Sequence, residues 1–103
     1  MGGRSGQVVG EKLWMLATGH QVLVITHLPQ IAAFADAHFQ IAKGEQNGRV
    51  VSHVEALEPD ERIAEIAAML DGLPVTAASR ASAIEMIDRV GRWKAGAVGA
   101  GTA

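Results

Sequence analysis

Cysteine is absent from this 103-residue chain. That removes disulfides, thiolate metal sites and thiol nucleophiles from consideration, and it agrees with a reducing, cytoplasmic setting. Long apolar runs are missing too. No stretch approaches the ~20 residues needed to span a bilayer, and no basic segment followed by an apolar core opens the chain as a signal peptide would. The expectation is a soluble cytoplasmic protein with no membrane partner. Basic charge is thin: nine Lys plus Arg stand against eleven Asp plus Glu, for a net charge of −2. No basic stripe of the kind that binds a phosphate backbone can be drawn from them. Aromatic residues make up only 4%, and Trp14 and Trp93 lie too far apart in sequence to form a stacking platform for single-stranded nucleic acid. A Gly-x-x-x-x-Gly-Lys-Ser/Thr loop for phosphates is absent, as is an apolar strand ending in Asp-Glu to hold magnesium. There is no internal repeat.

Hydrophobic residues at 49% and charged residues at 19% give a globular balance, far from the signature of disorder. One modest core is expected, since a chain of this length buries roughly 60–65% of its unfolded surface. From Ser5 to Thr18, Val9, Leu13, Leu16 and Ala17 follow helical spacing, with Gly19 as a C′ residue. Gln21 to Thr26 holds Val22, Leu23, Val24 and Ile25 in an unbroken apolar run, which predicts a parallel-sheet strand covered on both faces. The fold class is therefore α/β. Pro29 suits the first turn of a short helix through Phe34. His38 to Lys43 and Arg49 to Glu55 read as strands joined through Asn47-Gly48, an antiparallel hairpin at the edge of the sheet. Pro59, with Asp60 and Glu61 near the positive end of the dipole, starts a helix that buries Ile63, Ile66, Ala67 and Leu70 and ends at Asp71-Gly72. Thr76 caps a last helix with Ala83, Ile84, Ile87 and Val90 as its buried stripe. The small-residue tail after it is expected to be disordered.

His27 is the leading chemical candidate. The turn after a buried strand points side chains toward a ligand at the carboxyl edge of a sheet, where imidazole can donate to a phosphate oxygen or orient water. The plain alternative is a structural or incidental histidine. Gln30 is open in the same way, between a solvated side chain at a helix start and a ligand contact. His20, His38 and His53 occupy three separate contexts without metal-site spacing and are expected to be structural or solvent-facing. Asp60, Glu61, Arg62 and Glu65 serve a helix dipole and a solvated face rather than a carboxylate pair. Met69 and Met86 read as core fillers.

Taken together, Thr26-His27-Leu28-Pro29-Gln30, the start Gly2-Gly3-Arg4 before Val8, Val9, Glu11, Lys12 and Leu13, and the pattern Glu61-Arg-Ile-Ala-Glu-Ile-Ala-Ala-Met-Leu70 resemble the last part of the ATPase head in the RecN family. The likeness runs over nearly the whole chain. RecN heads are of the ABC type and similar to those of structural-maintenance-of-chromosomes proteins, with a P-loop NTPase fold. The resemblance implies that residues 1–94 are the carboxyl-terminal lobe of such a head and residues 95–103 a tail. It carries to His27 the role of the switch histidine at the terminal phosphate, with Thr26 and Gln30 as nucleotide-side neighbours. Gly2 and Gly3 become the end of the loop that follows the acidic strand and crosses the dimer interface, and count with Thr26 and Gln30 as nucleotide-binding positions. In the complete family protein two heads sandwich ATP and magnesium, and the cycle is coupled to DNA double-strand break repair by recombination. The family's Ser-Gly-Gly signature and coiled-coil arms have no counterpart in these residues. The resemblance thus implies a fragment, beginning at an alternative or misassigned start or in a truncated gene, and inactive as an ATPase alone. Its partners would be the amino-terminal head segment or a second head, with DNA bound through the complete protein.

A competing reading is a non-catalytic α/β interaction module, which binds a partner through the edge left by missing strands. A small hydrolase using His27 as general base ranks last, because no serine or carboxylate is motif-linked to it.

Overall fold

The computed structural model describes residues 3–101. Four helices and one hairpin follow in the order α1 (Gly3–Leu16), α2 (Pro29–Ala32), β1 (Phe39–Gln46), β2 (Arg49–Ala56), α3 (Pro59–Asp71) and α4 (Ala77–Gly101). The radius of gyration, 15.2 Å, exceeds the ~13 Å usual for a 100-residue domain. The excess has a visible source, because the core is helical and the hairpin adds no buried residue to it.

Helix α3 begins where its sequence starts it. Pro29 and Pro59 both occupy the first helical turn, where the missing N–H costs nothing. The Glu58 amide donates to Oε1 of Glu61 at 2.9 Å, half of a capping box. Gly72 ends the helix at φ 78°, and its amide donates to the Ala68 carbonyl at 2.7 Å. Ile66 and Ala67 are completely buried, with Ile63 and Leu70 partly so. At the start of α4, the Ser79 amide donates to Thr76 Oγ1 at 3.1 Å and the Thr76 amide to Ser79 Oγ at 2.9 Å. Ala83 and Val90 are buried and Ile87 packs against the core, but Ile84 is exposed. The helix continues to Gly101, through a Gly/Ala-rich segment from which the sequence predicts a disordered tail.

The core has two parts. Ala32, Ile66, Ala67 and Ala83 form one, and Ala33, Phe34 and Val90 the other, with Met86 packed against both. In the second part Trp93 meets Trp14 and Phe34 edge-on, with ring centroids 5.6 and 5.5 Å apart. The two tryptophans are thus neighbours in space. Their edge-to-face packing closes the second part of the core.

The hairpin turns through Asn47 and Gly48 at φ 54° and 76°, with Gln46 opposite Arg49. Two successive left-handed residues match the twist of an antiparallel pair. Among the described residues it stands as a sheet of its own and edges no larger one.

One expectation fails. Gln21–Thr26 has no regular structure, and Leu23 and Ile25 are each 86% exposed. A parallel strand exists only through hydrogen bonds to neighbouring strands, and none of the described residues pairs with this segment. The α/β content is therefore an antiparallel hairpin with helices, and the parallel-sheet strand is not formed. A smaller correction concerns α1. Its most buried positions are Gly6 and Gly10; Val9, Leu13 and Ala17 of the expected stripe are partly buried, as is Trp14, whereas Leu16 is exposed and Gly19 lacks the left-handed φ of a C′ glycine.

Candidate functional site

The turn containing His27 is built from local chemistry. Thr26 Oγ1 accepts the Leu28 amide at 3.0 Å, a side-chain-to-backbone bond that favours a turn over a strand. Pro29 then starts α2 and is buried, while His27 stays exposed. Gln30 follows in the first turn of α2, half-buried.

Three elements hold α2. Helix α1 meets it through glycines: a Cβ placed on Gly6 would lie 3.0 Å from Cβ of Gln30, and one on Gly10 would lie 2.7 Å from Cε2 of Phe34. Helix α4 meets the turn just beyond it, through Trp93 on Phe34. Helix α3 meets it through Arg62, whose Nη2 donates to the carbonyls of Ala33 at 2.9 Å, Ala35 at 3.1 Å and Ala32 at 3.4 Å. Burial lowers the Arg62 pKa, with Asp36 pulling weakly the other way, yet a guanidinium stays charged at any neutral pH. His38 lies nearby, half-buried; burial first, then the positive charge of Arg62, push its pKa down against the opposing pull of Glu65.

Gln30 lines a shallow cleft with Gln7, Phe34, Met86, Arg89 and Trp93. The candidates thus separate. Gln30 and the first turns of α1 share one neighbourhood, with Gly3 one turn from Gly6 on the same helix. His27 and Thr26 sit just before it in the turn. Gly2 lies outside the described residues. Asp60 pairs with Arg80 at 3.2 Å on the surface, and Glu61 acts as a cap, so neither forms a carboxylate pair.

An imidazole and a primary amide suit hydrogen bonding to a phosphate oxygen. They do not suit magnesium, which takes oxygen ligands, carboxylates above all, and the Thr26 hydroxyl is already engaged. Among the described residues no group of three His, Cys, Asp or Glu side chains could hold a metal ion. No described helix is long and apolar enough to cross a membrane.

Sequence reasoning missed the supports. Arg62 reads locally as a solvated helix charge, because the carbonyls it caps lie 27–30 positions earlier. The Gly6/Gly10 spacing of four was a usable signal for a close helix crossing. Asp36 was missed as well. It accepts Lys94 Nζ at 2.9 Å and Trp14 Nε1 at 3.0 Å, and Lys94 lies over the Trp14 ring at 5.4 Å. The bonds from Lys94 and Trp14 hold the Asp36 carboxyl below the usual range. A depressed folded-state pKa gives stability that is present above the unfolded pKa of ~3.9 and lost as pH falls through the folded value. The carboxylate is 68% exposed, so the effect on stability is small, but the ring environment reports it directly. Tryptophan fluorescence is expected to change below about pH 4, and Asp36→Asn is expected to remove that step. An unchanged acid titration in the variant would mean that Asp36 does not hold Trp14.

No family model matches the chain. Curated proteins do. The DNA repair protein RecN of Halalkalibacterium halodurans is 44% identical over 86 residues, 84% of this chain. That of Bacillus subtilis is 41% identical over 92 residues, 89% of the chain, and that of Deinococcus radiodurans 51% over 72 residues, 70% of the chain. These stretches amount to 15%, 16% and 13% of the relatives' own lengths. A 92-residue match within 103 residues has to include the His27 turn, α2, the hairpin and α3. The chain belongs to the RecN family and corresponds to a carboxyl-terminal segment of it.

Proposed function

We propose that this chain is the carboxyl-terminal part of a RecN-type ATPase head of P-loop fold and acts in DNA double-strand break repair. In this reading the phosphate-binding loop, the acidic magnesium-binding strand and the opposing head come from segments other than these residues. ATP and magnesium belong to the assembled head. His27 supplies one hydrogen-bond donor toward the terminal phosphate, from a turn fixed by Thr26 and Pro29 and carried on α2, with Gln30 beside it. The observation that carries the proposal is the 41–44% identity to RecN proteins across stretches long enough to have to include this turn. Exposure of His27 supports it, since a switch residue has to reach a ligand held elsewhere. DNA would be bound by the complete protein, because this segment carries no basic stripe.

The test is ATP binding and hydrolysis by the chain alone, by a separately expressed amino-terminal RecN head segment, and by their mixture. Turnover is expected only in the mixture. It is expected to fall on the order of 100-fold with His27→Ala, the lower range for removing a positioned proton donor. A mixture of folded partners that neither binds nor hydrolyses ATP would sink the proposal. A second reading, the non-catalytic interaction module, is favoured by one observation: Leu23 and Ile25 stand 86% exposed on an irregular segment that pairs with no described strand. Tight association of the two pieces without any nucleotide response would select it.

A further inference from the structure

Helix α2 is four residues long, far below the length at which a helix is stable by itself. Its own carbonyls at Pro29, Ile31 and Ala32 accept the amides of Ala33, Phe34 and Ala35, so the groups left over at this end are those of the residues just past the helix. Within the turn, the amides of Ala32, Ala33 and Phe34 reach back to Leu28, Pro29 and Ile31 at 2.9–3.0 Å. These bonds satisfy the amino-terminal carbonyls and leave those of Ala33 and Ala35 to something outside the turn. Arg62 is that group. One guanidinium nitrogen spans three carbonyls, placing a positive charge at the negative end of the helix. Arg62 is half-buried on α3, one turn before Ile66, the most deeply buried large side chain, so it projects from the helix that carries the centre of the core. The link runs from the core, through one side chain, to the end of a helix that begins two residues after His27.

We propose that Arg62 is the positioning residue for the His27 turn, holding α2 in register so that the imidazole leaves the turn at a fixed place. This rests on the switch role proposed above for its functional consequence, and on geometry alone for its structural one. Removing Arg62 should loosen α2 locally rather than dissolve the core. Ile66, Ala67 and Ala83 pack on one another and accept no hydrogen bond from Arg62, and Phe34 has its own packing on Trp93.

The experiment is amide hydrogen exchange on the full chain, followed residue by residue in wild type, Arg62→Ala and Arg62→Lys. In Arg62→Ala the amides of Ala32, Ala33, Phe34 and Ala35 are expected to exchange on the order of 10- to 100-fold faster, while those of Ile66, Ala67 and Ala83 change far less. Lysine keeps the charge at the helix end without the fork and is expected to restore protection in part. It also keeps the test decisive if Arg62→Ala fails to fold. Unchanged α2 protection in both variants, or equal loss across α2 and the core, would overturn the inference. In the ATPase mixture, Arg62→Lys is expected to lower kcat while leaving KM for ATP unchanged. A loosened α2 with unaltered kcat would detach Arg62 from His27. Absence of turnover even with wild type counts against the ATPase reading and leaves the exchange result to decide the positioning role.

Discussion

Ile66→Ala is expected to remove about 3–4 kcal/mol of folding stability, within the range for emptying a fully buried aliphatic site. For a small domain this is most of what holds it folded. Ile66 has no exposed surface and packs where α2, α3 and α4 meet, so no neighbour can collapse into the space without moving a helix. The same change at Ile25, which is 86% exposed, is expected to alter stability by less than ~0.5 kcal/mol. Urea denaturation of the two variants beside wild type checks both. Equal losses would mean that the Gln21–Thr26 segment is packed in solution and belongs to the core.

That contrast marks where sequence reasoning succeeds and where it stops. Ile66 and Ile25 are the same residue in apolar surroundings, and sequence alone assigns both to a core. For Ile66 the assignment rests on local signals: Pro59 to start, Gly72 to stop, and an apolar period of three and four between them. A helix satisfies its own backbone, so such signals suffice. The hairpin was equally legible, because Asn47-Gly48 specifies the turn and the turn specifies the register, Phe39 opposite Ala56 through Gln46 opposite Arg49. Ile25 differs because a parallel strand is a property of several segments. Val22 to Ile25 has the composition of such a strand but finds no partner among the described residues, and the chain there stays irregular and largely exposed.

The candidate site divides along the same line. That His27 would fall in a turn before a short helix followed from Pro29 alone. Its supports did not follow, because each is a contact between distant segments: Arg62 on the carbonyls of Ala32, Ala33 and Ala35, Phe34 against Trp93, Asp36 between Trp14 and Lys94. Arg62 was read as part of a solvated face, which is the usual fate of an arginine in a first helical turn. Only the path of α2 past that face gives it another task.

The second large effect comes from Gly10. In a helix interior, replacing glycine with alanine stabilises by about 1 kcal/mol when nothing else changes. Gly91 on α4 offers that case, since a Cβ there meets nothing within 4 Å, and Gly91→Ala is expected to raise the melting temperature by several degrees. At Gly10 the same methyl overlaps the Phe34 ring, which is itself held by Trp93. Overpacking of this kind costs about 1–3 kcal/mol, and a larger side chain costs more. Gly10→Ala is therefore expected to lower the melting temperature and Gly10→Val to lower it further, because valine adds bulk and lacks the helix propensity of alanine. The difference between the variants at positions 10 and 91 isolates the close approach of α1 to α2 from propensity. If Gly10→Ala stabilises as Gly91→Ala does, α1 is not seated on α2. Gln30, which meets α1 at Gly6, would then lack one wall of its cleft, and the turn carrying His27 would be held from α3 and α4 alone.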